Sequence, residues 1–251
     1  MDLPRETKIL FLIGLVLLNM AVRFPADGDF REHRVDTFNL HAMAESVEET
    51  NEAKWVVHPL SVFGLYPYSY PSLPVLLVSA IAMLTGLSTE LSVFMLAQVT
   101  GLLAIAAGFI LGSELRTDFK YRYMMAALIS LSPVFAYETI WTVPKRSLFL
   151  LEFSMLLWLL LRFRHTQHDK RYLLLMVPVL IAMAATHRMF MLMPALFGAY
   201  LLMALMLWLW KHVHIVLTPR WKREIVKWSA VSVWVAGLVG ALLLQAKRVW
   251  F

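Results

Sequence analysis

The chain has 251 residues, of which 60% are apolar, 16% are charged and none is cysteine. A soluble domain carries about 45–50% apolar and about 25% charged residues, so this composition excludes an ordinary soluble enzyme. The absence of cysteine excludes disulfides, thiolate metal sites and a cysteine nucleophile. In a membrane protein a net charge of +6 reports topology first, and we predict no nucleic-acid partner.

Eight apolar segments follow one another along the chain, each bounded by charged or turn-forming residues. They are residues 8–22, 72–87, 91–112, 122–138, 147–161, 172–186, 189–210 and 228–246. Because about 20 apolar residues in a helix cross a bilayer, the pattern predicts an all-α polytopic membrane protein. No repeat or linker divides the sequence, so we predict a single transmembrane domain over residues 1–251.

The distribution of basic residues indicates which loops face the cytoplasm. Residues 162–171 and 211–227 form the most basic loops, whereas acids outnumber bases in the long segment 24–71. Cytoplasmic loops are enriched in Lys and Arg, so we predict that the two basic loops are cytoplasmic and that 24–71 is an external loop. Arg5 and Lys8 precede the first apolar segment and place the N-terminus in the cytoplasm.

The number of crossings follows from these charges. Eight crossings would put both basic loops outside, so one segment before residue 113 is predicted not to cross. Segment 72–87 is the natural choice, because about 16 residues are short for a ~30 Å hydrocarbon core. We predict an interfacial or re-entrant helix there and about seven transmembrane helices, with an external C-terminus. The expected location is a plasma membrane or a membrane of the endoplasmic-reticulum type.

The external loop holds an early carboxylate, Asp36, at the start of a predicted helix over 36–49. Asp36 suits a helix N-cap, and a solvated loop charge is the plainer interpretation. A denser cluster follows, in which Tyr66, Tyr68 and Tyr70 alternate with prolines. An interfacial aromatic belt is one interpretation of these tyrosines. The prolines favour the other, a shaped groove for a sugar or a lipid head group.

Two further polar pieces are predicted at the external face. The first contains Glu138, Lys145 and Arg146, and the second is the corner His187-Arg188 between two apolar segments. Basic side chains at the end of a span often only snorkel toward water. Lys and Arg can instead hold a phosphate, Arg through its planar fork.

The order of these features resembles the GT-C superfamily of membrane glycosyltransferases, which includes protein O-mannosyltransferases, aminoarabinose transferases and the catalytic subunit of oligosaccharyltransferase. The resemblance covers roughly residues 8–210. It rests on the following motifs: Asp36-Thr37-Phe38-Asn39-Leu40-His41, Tyr66-Pro67-Tyr68-Ser69-Tyr70-Pro71, Thr85-Gly86-Leu87-Ser88, Leu131-Ser132-Pro133 and Thr186-His187-Arg188.

The resemblance implies transfer of a sugar from a polyprenyl-phosphate or polyprenyl-diphosphate carrier to an acceptor at the external face. It implies that Asp36 is the base or positions the acceptor, and that Glu138 is the second catalytic acid. The paired-acid motif of oligosaccharyltransferases is missing, so a divalent cation (Mg or Mn) is an open option. The candidate substrate-binding residues are His41, Tyr66, Tyr68, Tyr70, Lys145, Arg146, His187 and Arg188.

Two other functions stay open. Many family members are longer, so the chain could be a non-catalytic GT-C-like subunit that pairs with a membrane or external partner. A lipid or solute transporter is disfavoured, since no inverted repeat is visible and few ionisable groups, such as Glu152, lie within spans. The predicted partners of the enzyme are membrane lipid and a polyprenyl-linked sugar. Convergence of Asp36, Glu138, His187 and Arg188 near one cavity would favour it.

Overall fold

A computed structural model describes residues 3–24, 35–66, 69–140, 142–166 and 169–212, and over these residues the protein is helical. The α-helices are α1 (Arg5–Arg23), α2 (Val35–Thr50), α3 (Leu73–Thr85), α4 (Thr89–Leu115), α5 (Phe119–Leu131), α6 (Pro133–Tyr137), α7 (Lys145–His165), α8 (Lys170–Thr186) and α9 (Met193–His212). Short 3₁₀ turns form at Pro59–Ser61 and Arg188–Leu192. Between described residues the β-structure is an isolated bridge, so the predicted all-α class is confirmed for this part of the chain.

Two helical stretches within the described residues are long and apolar enough to cross a membrane, Thr89–Leu115 and Arg188–Trp208. The remaining predicted crossings stay predictions, and segment 228–246 lies outside the described residues. Helix α3 has 13 residues, or about 20 Å of rise, which is short for a ~30 Å core as expected for segment 72–87.

The apolar segment 122–138 does not form one continuous helix. Helix α5 ends at Leu131 and α6 begins at Pro133, because Pro133 has no N–H to donate and pushes Ser132 into an extended conformation with ψ 139°. The Ser132 hydroxyl accepts the N–H of Phe135 at 3.3 Å and caps α6. The short helix α6 that follows the break ends at Tyr137, and Glu138 is its C-cap.

Two compact units are distinguished, Met1–Met193 and Pro194–Phe251. The first holds α1 to α8 and the 3₁₀ turns. Of the second, the structure describes residues 194–212, which continue α9 as one helix.

Helix α4 is central to the first unit and packs against α1, α3, α5 and α7. Glycine makes the α4–α5 contact close. A Cβ on Gly108 would lie 2.7 Å from the Ala126 Cα, and a Cβ on Gly112 would lie 3.1 Å from the Arg122 Cα. Small residues that let helix backbones approach are typical of helix packing in membranes.

Helix α1 is fixed by a buried arginine at its end. The Arg23 Nε donates to the Thr139 Oγ1 at 2.8 Å, and its Nη2 donates to the Ser130 carbonyl at 3.0 Å. Asn19 donates to the Ser130 Oγ at 2.7 Å. All four side chains are buried, and a Cβ on Gly101 would lie 2.7 Å from the Arg23 Cζ. This network ties α1 to α5 and to the residue after Glu138.

Helix α2 lies on α3 and α4 through a buried apolar cluster. Leu40 and Ala44, one turn apart, supply its stripe. The buried members are Leu40, Ala44, Val75, Val78, Val93, Leu96 and Val143. Because Leu40 is fixed in this cluster, Asp36 one turn earlier is held beside the segment that contains Val143.

Candidate functional site

The early acid of the external loop meets the start of α7. The Lys145 Nζ donates to the Asp36 Oδ2 at 2.8 Å across 109 residues of sequence. The Asp36 side chain is 60% exposed and that of Lys145 is 16% exposed. Such an exposed pair contributes little to stability, but it shows that two of the predicted site segments meet.

A second acid–base pair lies next to the first. The Arg146 Nη1 donates to the Glu138 Oε1 at 2.9 Å, and the Glu138 side chain is only 9% exposed. The Glu138 carbonyl accepts the hydroxyls of Thr142 at 3.0 Å and Ser147 at 3.1 Å. These two hydrogen bonds join the end of α6 to the start of α7.

Both bases occupy the first turn of α7, directly after Pro144. A cation at a helix N-terminus opposes the helix dipole, usually at a cost of about 0.3–1 kcal/mol. The acids Asp36 and Glu138 offset part of this cost.

These residues surround a cavity of about 230 Å³, which we call the large chamber. Its wall combines both predicted catalytic acids with both bases of α7. The lining residues are Asp36, Thr37, Leu40, Glu138, Thr142, Val143, Lys145 and Arg146.

A smaller cavity of about 60 Å³, the small chamber, adjoins it. Its wall combines the Tyr-Pro segment with the corner after α8. The lining residues are Leu40, Tyr70, Pro71, Pro74, Lys145, Thr186, His187 and Arg188. Leu40 and Lys145 belong to both walls, so the two chambers share a side.

The Tyr70 ring organises the cations of the small chamber. The Arg188 Cζ lies 5.2 Å and the Lys145 Nζ 5.9 Å from the ring centroid, which is the range of cation–π contacts. The Arg188 Nη2 also donates to the Ser69 carbonyl. The chain there bends tightly at Gly64, whose φ of +64° lies in the left-handed region, and Phe63 pairs with Pro71.

His187 lies between α8 and the following 3₁₀ turn, and a hydrogen bond orients its ring. Its Nδ1 accepts the N–H of Met189 at 3.0 Å and caps the 3₁₀ turn. Burial lowers the pKa of His187 to about 4, helped by the positive charges of Arg146 and Lys145. The imidazole is therefore neutral near pH 7, and with Nδ1 accepting, Nε2 carries the hydrogen.

Two of the predicted binding residues that the structure describes, His41 and Tyr66, are not among the lining residues of the two chambers. The His41 Nε2 lies 4.0 Å from carboxylate oxygens of Glu45 and Glu90. The Tyr66 ring stacks on His58 with centroids 5.1 Å apart. Tyr68 lies outside the described residues.

Sequence reasoning missed the hydroxyl groups of the chambers. Thr37 and Thr142 line the large chamber and Thr186 lines the small one. Thr37 could have been predicted as a lining residue, because it is adjacent to Asp36 in the sequence. No sequence pattern distinguishes Thr142 from other threonines of the chain. Thr186 donates to the Glu152 Oε1 at 2.7 Å, which joins α8 to α7 behind the small chamber.

No protein-family model, curated protein or solved structure matches the chain. Within the part of the chain that the structure describes, no three His, Asp or Glu side chains gather as a metal site requires. The divalent cation left open by the sequence stays an open prediction.

Proposed function

We propose that the protein is a membrane glycosyltransferase that moves a sugar from a polyprenyl-phosphate-type carrier to an acceptor at the external face. One observation carries the proposal. Asp36, the pair Glu138 and Lys145, and Arg188 come from three separate chain segments, and all four residues line the two adjoining chambers. Glu138 is buried and Lys145 is half-buried, whereas Asp36 and Arg188 are exposed to solvent. Ionisable groups are costly to bury in a largely apolar chain, and their convergence with further charged groups is typical of a functional site.

The chemistry of glycosyl transfer needs the groups that are present. In the proposed step the acceptor oxygen bonds to the anomeric carbon while the Asp36 carboxylate takes its proton. The bond from that carbon to the phosphate oxygen breaks, and the electron pair leaves with the phosphate. Lys145 and Arg188 stabilise this leaving charge, and a nearby carboxylate such as Glu138 stabilises the oxocarbenium-like transition state.

Lys145 suits this step because its ammonium group belongs to both walls. It has three N–H donors, so it can donate to Asp36 and to a phosphate oxygen at once. The carboxylate and the leaving phosphate would thus be linked through one cation.

Exposed apolar side chains support placement in a bilayer. Leu10 and Leu17 of α1 are 68% and 60% exposed, and Leu174 of α8 is 72% exposed. A soluble protein rarely presents helices with such faces to water. We propose seven crossings with the N-terminus in the cytoplasm and the C-terminus outside.

Helix α7 supports the proposed orientation. Its first residue, Lys145, lines both chambers, and its last turn carries the bases Arg162 and Arg164 of the loop predicted to be cytoplasmic. Its 21 residues rise about 32 Å, enough to cross a ~30 Å hydrocarbon core. The chambers and the basic loop therefore lie at opposite ends of one membrane-length helix.

The test begins with the lipid that accompanies the protein. Mass spectrometry of lipids co-purified with the wild type should find a polyprenyl-linked sugar. In native membrane vesicles, which supply the acceptor, loss of radiolabelled sugar from that donor should fall at least about 100-fold in Asp36→Asn, since a general base contributes about 10²–10⁴-fold. Retained binding of the lipid shows that the variant is folded.

Glu52→Gln is the matched control, because Glu52 is an exposed acid just after α2. It should turn over the donor like the wild type. Full turnover by Asp36→Asn would refute its role as base. Bound donor lipid without turnover by the wild type would favour the non-catalytic subunit instead.

A further inference from the structure

Glu152 is a buried acid that takes no part in the proposed reaction. It lies in the second turn of α7 and is 8% exposed. In the proposed topology this position is about 10 Å below the external end of α7, at a rise of ~1.5 Å per residue, and therefore inside the hydrocarbon core. An ionised carboxylate at such a position is costly unless a cation or several hydrogen bonds compensate its charge.

The helices around Glu152 offer no base that could pair with it. Glu152 is the only Asp, Glu, His, Lys or Arg over residues 147–161 of α7. Helices α4, α6 and α8 pack against α7, and they carry none of these residue types over 91–113, 133–137 or 173–186. An ionised carboxylate at Glu152 would therefore be an uncompensated charge.

The charged groups nearest in the chain have other partners. His187 is neutral near pH 7, because its pKa is about 4, and Arg188 donates to the Ser69 carbonyl. The bases Lys145 and Arg146, at the start of α7, each lie at hydrogen-bond distance from a carboxylate other than that of Glu152. These contacts leave Glu152 without a cation.

The hydrogen bonds of Thr186 indicate which form of Glu152 is present. The Thr186 Oγ1 lies 2.7 Å from the Glu152 Oε1 and 2.8 Å from the Ala182 carbonyl oxygen. Donation by Thr186 to both oxygens would share one hydrogen between two acceptors, because a hydroxyl group has only one. If Glu152 is a carboxylic acid, its O–H donates to Thr186, and the Thr186 O–H donates to Ala182. Each of the two short contacts then has a hydrogen of its own.

The second oxygen of Glu152 favours the same form. Oε2 is buried and has no hydrogen-bond partner among the described residues. With the hydrogen on Oε1, this atom is the carbonyl oxygen of a neutral acid. Leaving a neutral acceptor unpaired costs less than leaving a charged one unpaired.

We propose that Glu152 is a proton-binding site inside the membrane, a neutral carboxylic acid that donates to Thr186 and holds the end of α8 against α7. Thr186 lines the small chamber, and the Phe149 ring, one turn before Glu152, lies beside His187 with ring centroids 6.1 Å apart. Helix α7 thus supports this wall of the small chamber at two points. The proton site does not depend on glycosyl transfer, so either proposal can fail without the other.

Infrared spectroscopy of the full chain in lipid vesicles at pH 7 tests the protonation of Glu152. A protonated carboxyl group has a C=O stretching band that a carboxylate lacks. The wild-type spectrum minus that of Glu152→Gln should contain the band of one protonated carboxyl group. Glu52→Gln is the matched control, because Glu52 is exposed and its difference spectrum should contain carboxylate bands. Carboxylate bands in the Glu152→Gln difference overturn the proposal.

A second variant tests the hydrogen bond to Thr186. Valine has the shape of threonine but cannot accept a hydrogen bond, so Thr186→Val should shift the protonated carboxyl band of Glu152 to higher frequency. Thr166→Val is the control, since Thr166 donates to a backbone carbonyl at the other end of α7 and should leave the band in place. An unshifted band in Thr186→Val contradicts the role of Thr186 as acceptor.

Discussion

Lys145 lines both chambers. Its Nζ lies 2.8 Å from the Asp36 carboxylate and 5.9 Å from the Tyr70 ring centroid. Replacement of Lys145 by a neutral residue would remove this partner from the Asp36 carboxylate. The same replacement would remove one of the two cations of the small chamber. Under the proposed function, a change at Lys145 should therefore alter both proton transfer and donor affinity.

His187 makes stability depend on pH. Its pKa in the folded protein is about 4, below the ordinary 6.5, because burial and the nearby Arg146, Lys145 and Arg188 disfavour the charged ring, while Glu138 opposes the shift. The unfolded chain therefore binds the proton more readily, and stability falls as the pH drops from about 6.5 toward 4. Above pH 6.5 the His187 ring is neutral in both the folded and the unfolded protein, so this loss of stability is absent.

We expect His187→Asn to lose less stability than the wild type between pH 7 and pH 4.5, as measured by unfolding midpoints in detergent. Asparagine can still accept the N–H of Met189, so the cap is retained. Identical pH profiles for the two proteins would contradict the assignment.

At the residue scale the sequence predicted the charges better than the aromatic groups. Asp36, Glu138, Lys145, Arg146 and Arg188 all line the chambers, because ionisable groups beside apolar segments need partners. The sequence predicted Tyr66 and Tyr70 as binding residues on the same grounds, since both belong to the Tyr-Pro segment. Only the bend at Gly64 and the contact of Ser69 with Arg188 direct Tyr70 to the site and leave Tyr66 on His58.

At the scale of elements, the α4–α5 contact depends on having no side chain at Gly108. A Cβ there would lie 2.7 Å from the Ala126 Cα and 2.9 Å from the Met125 carbonyl oxygen, and neither backbone atom can move alone. We expect Gly108→Ala to lower the free energy of unfolding by about 1–3 kcal/mol, the usual cost of overpacking. Thermal unfolding in detergent measures it.

Gly14→Ala is the matched control within α1. A Cβ at Gly14 meets nothing within 4 Å, and alanine favours the helix by about 1 kcal/mol over glycine. This variant should be as stable as the wild type or more so. A Gly108→Ala protein that matches Gly14→Ala would show that the two helices do not approach as described.

Apolar segments located the helices, but the breaks depended on individual residues. The segment over 122–138 looked continuous because Pro133 is flanked by apolar residues, yet the chain bends there. After the bend, Glu138 lies at hydrogen-bond distance from Arg146. The rotation of α2, which turns His41 away from the chambers, follows from tertiary packing of Leu40 and Ala44.

At the scale of the whole molecule, the proposed topology can be tested directly, because the chain has no cysteine of its own. Single cysteines at Glu52 and Arg164 would report on opposite sides of the membrane. In sealed cells a membrane-impermeant maleimide should label Glu52→Cys and should label Arg164→Cys only after the membrane is opened. Both positions are exposed, so burial does not interfere. Labelling of Arg164→Cys from outside would reverse the orientation of α7.

The arginine that ends α1 has a consequence for biosynthesis. Its partners Ser130 and Thr139 are synthesised 107 and 116 residues later, or about 10 s later at ordinary rates of translation. In the proposed topology Arg23 lies at the external end of α1, so its charge stays at the membrane interface until then. We therefore expect this end of the nascent first helix to take its buried position only when α5 and α6 arrive. The last event of settling would also bring Thr139, and with it Glu138, into place, so the site forms only once most of the bundle has left the ribosome.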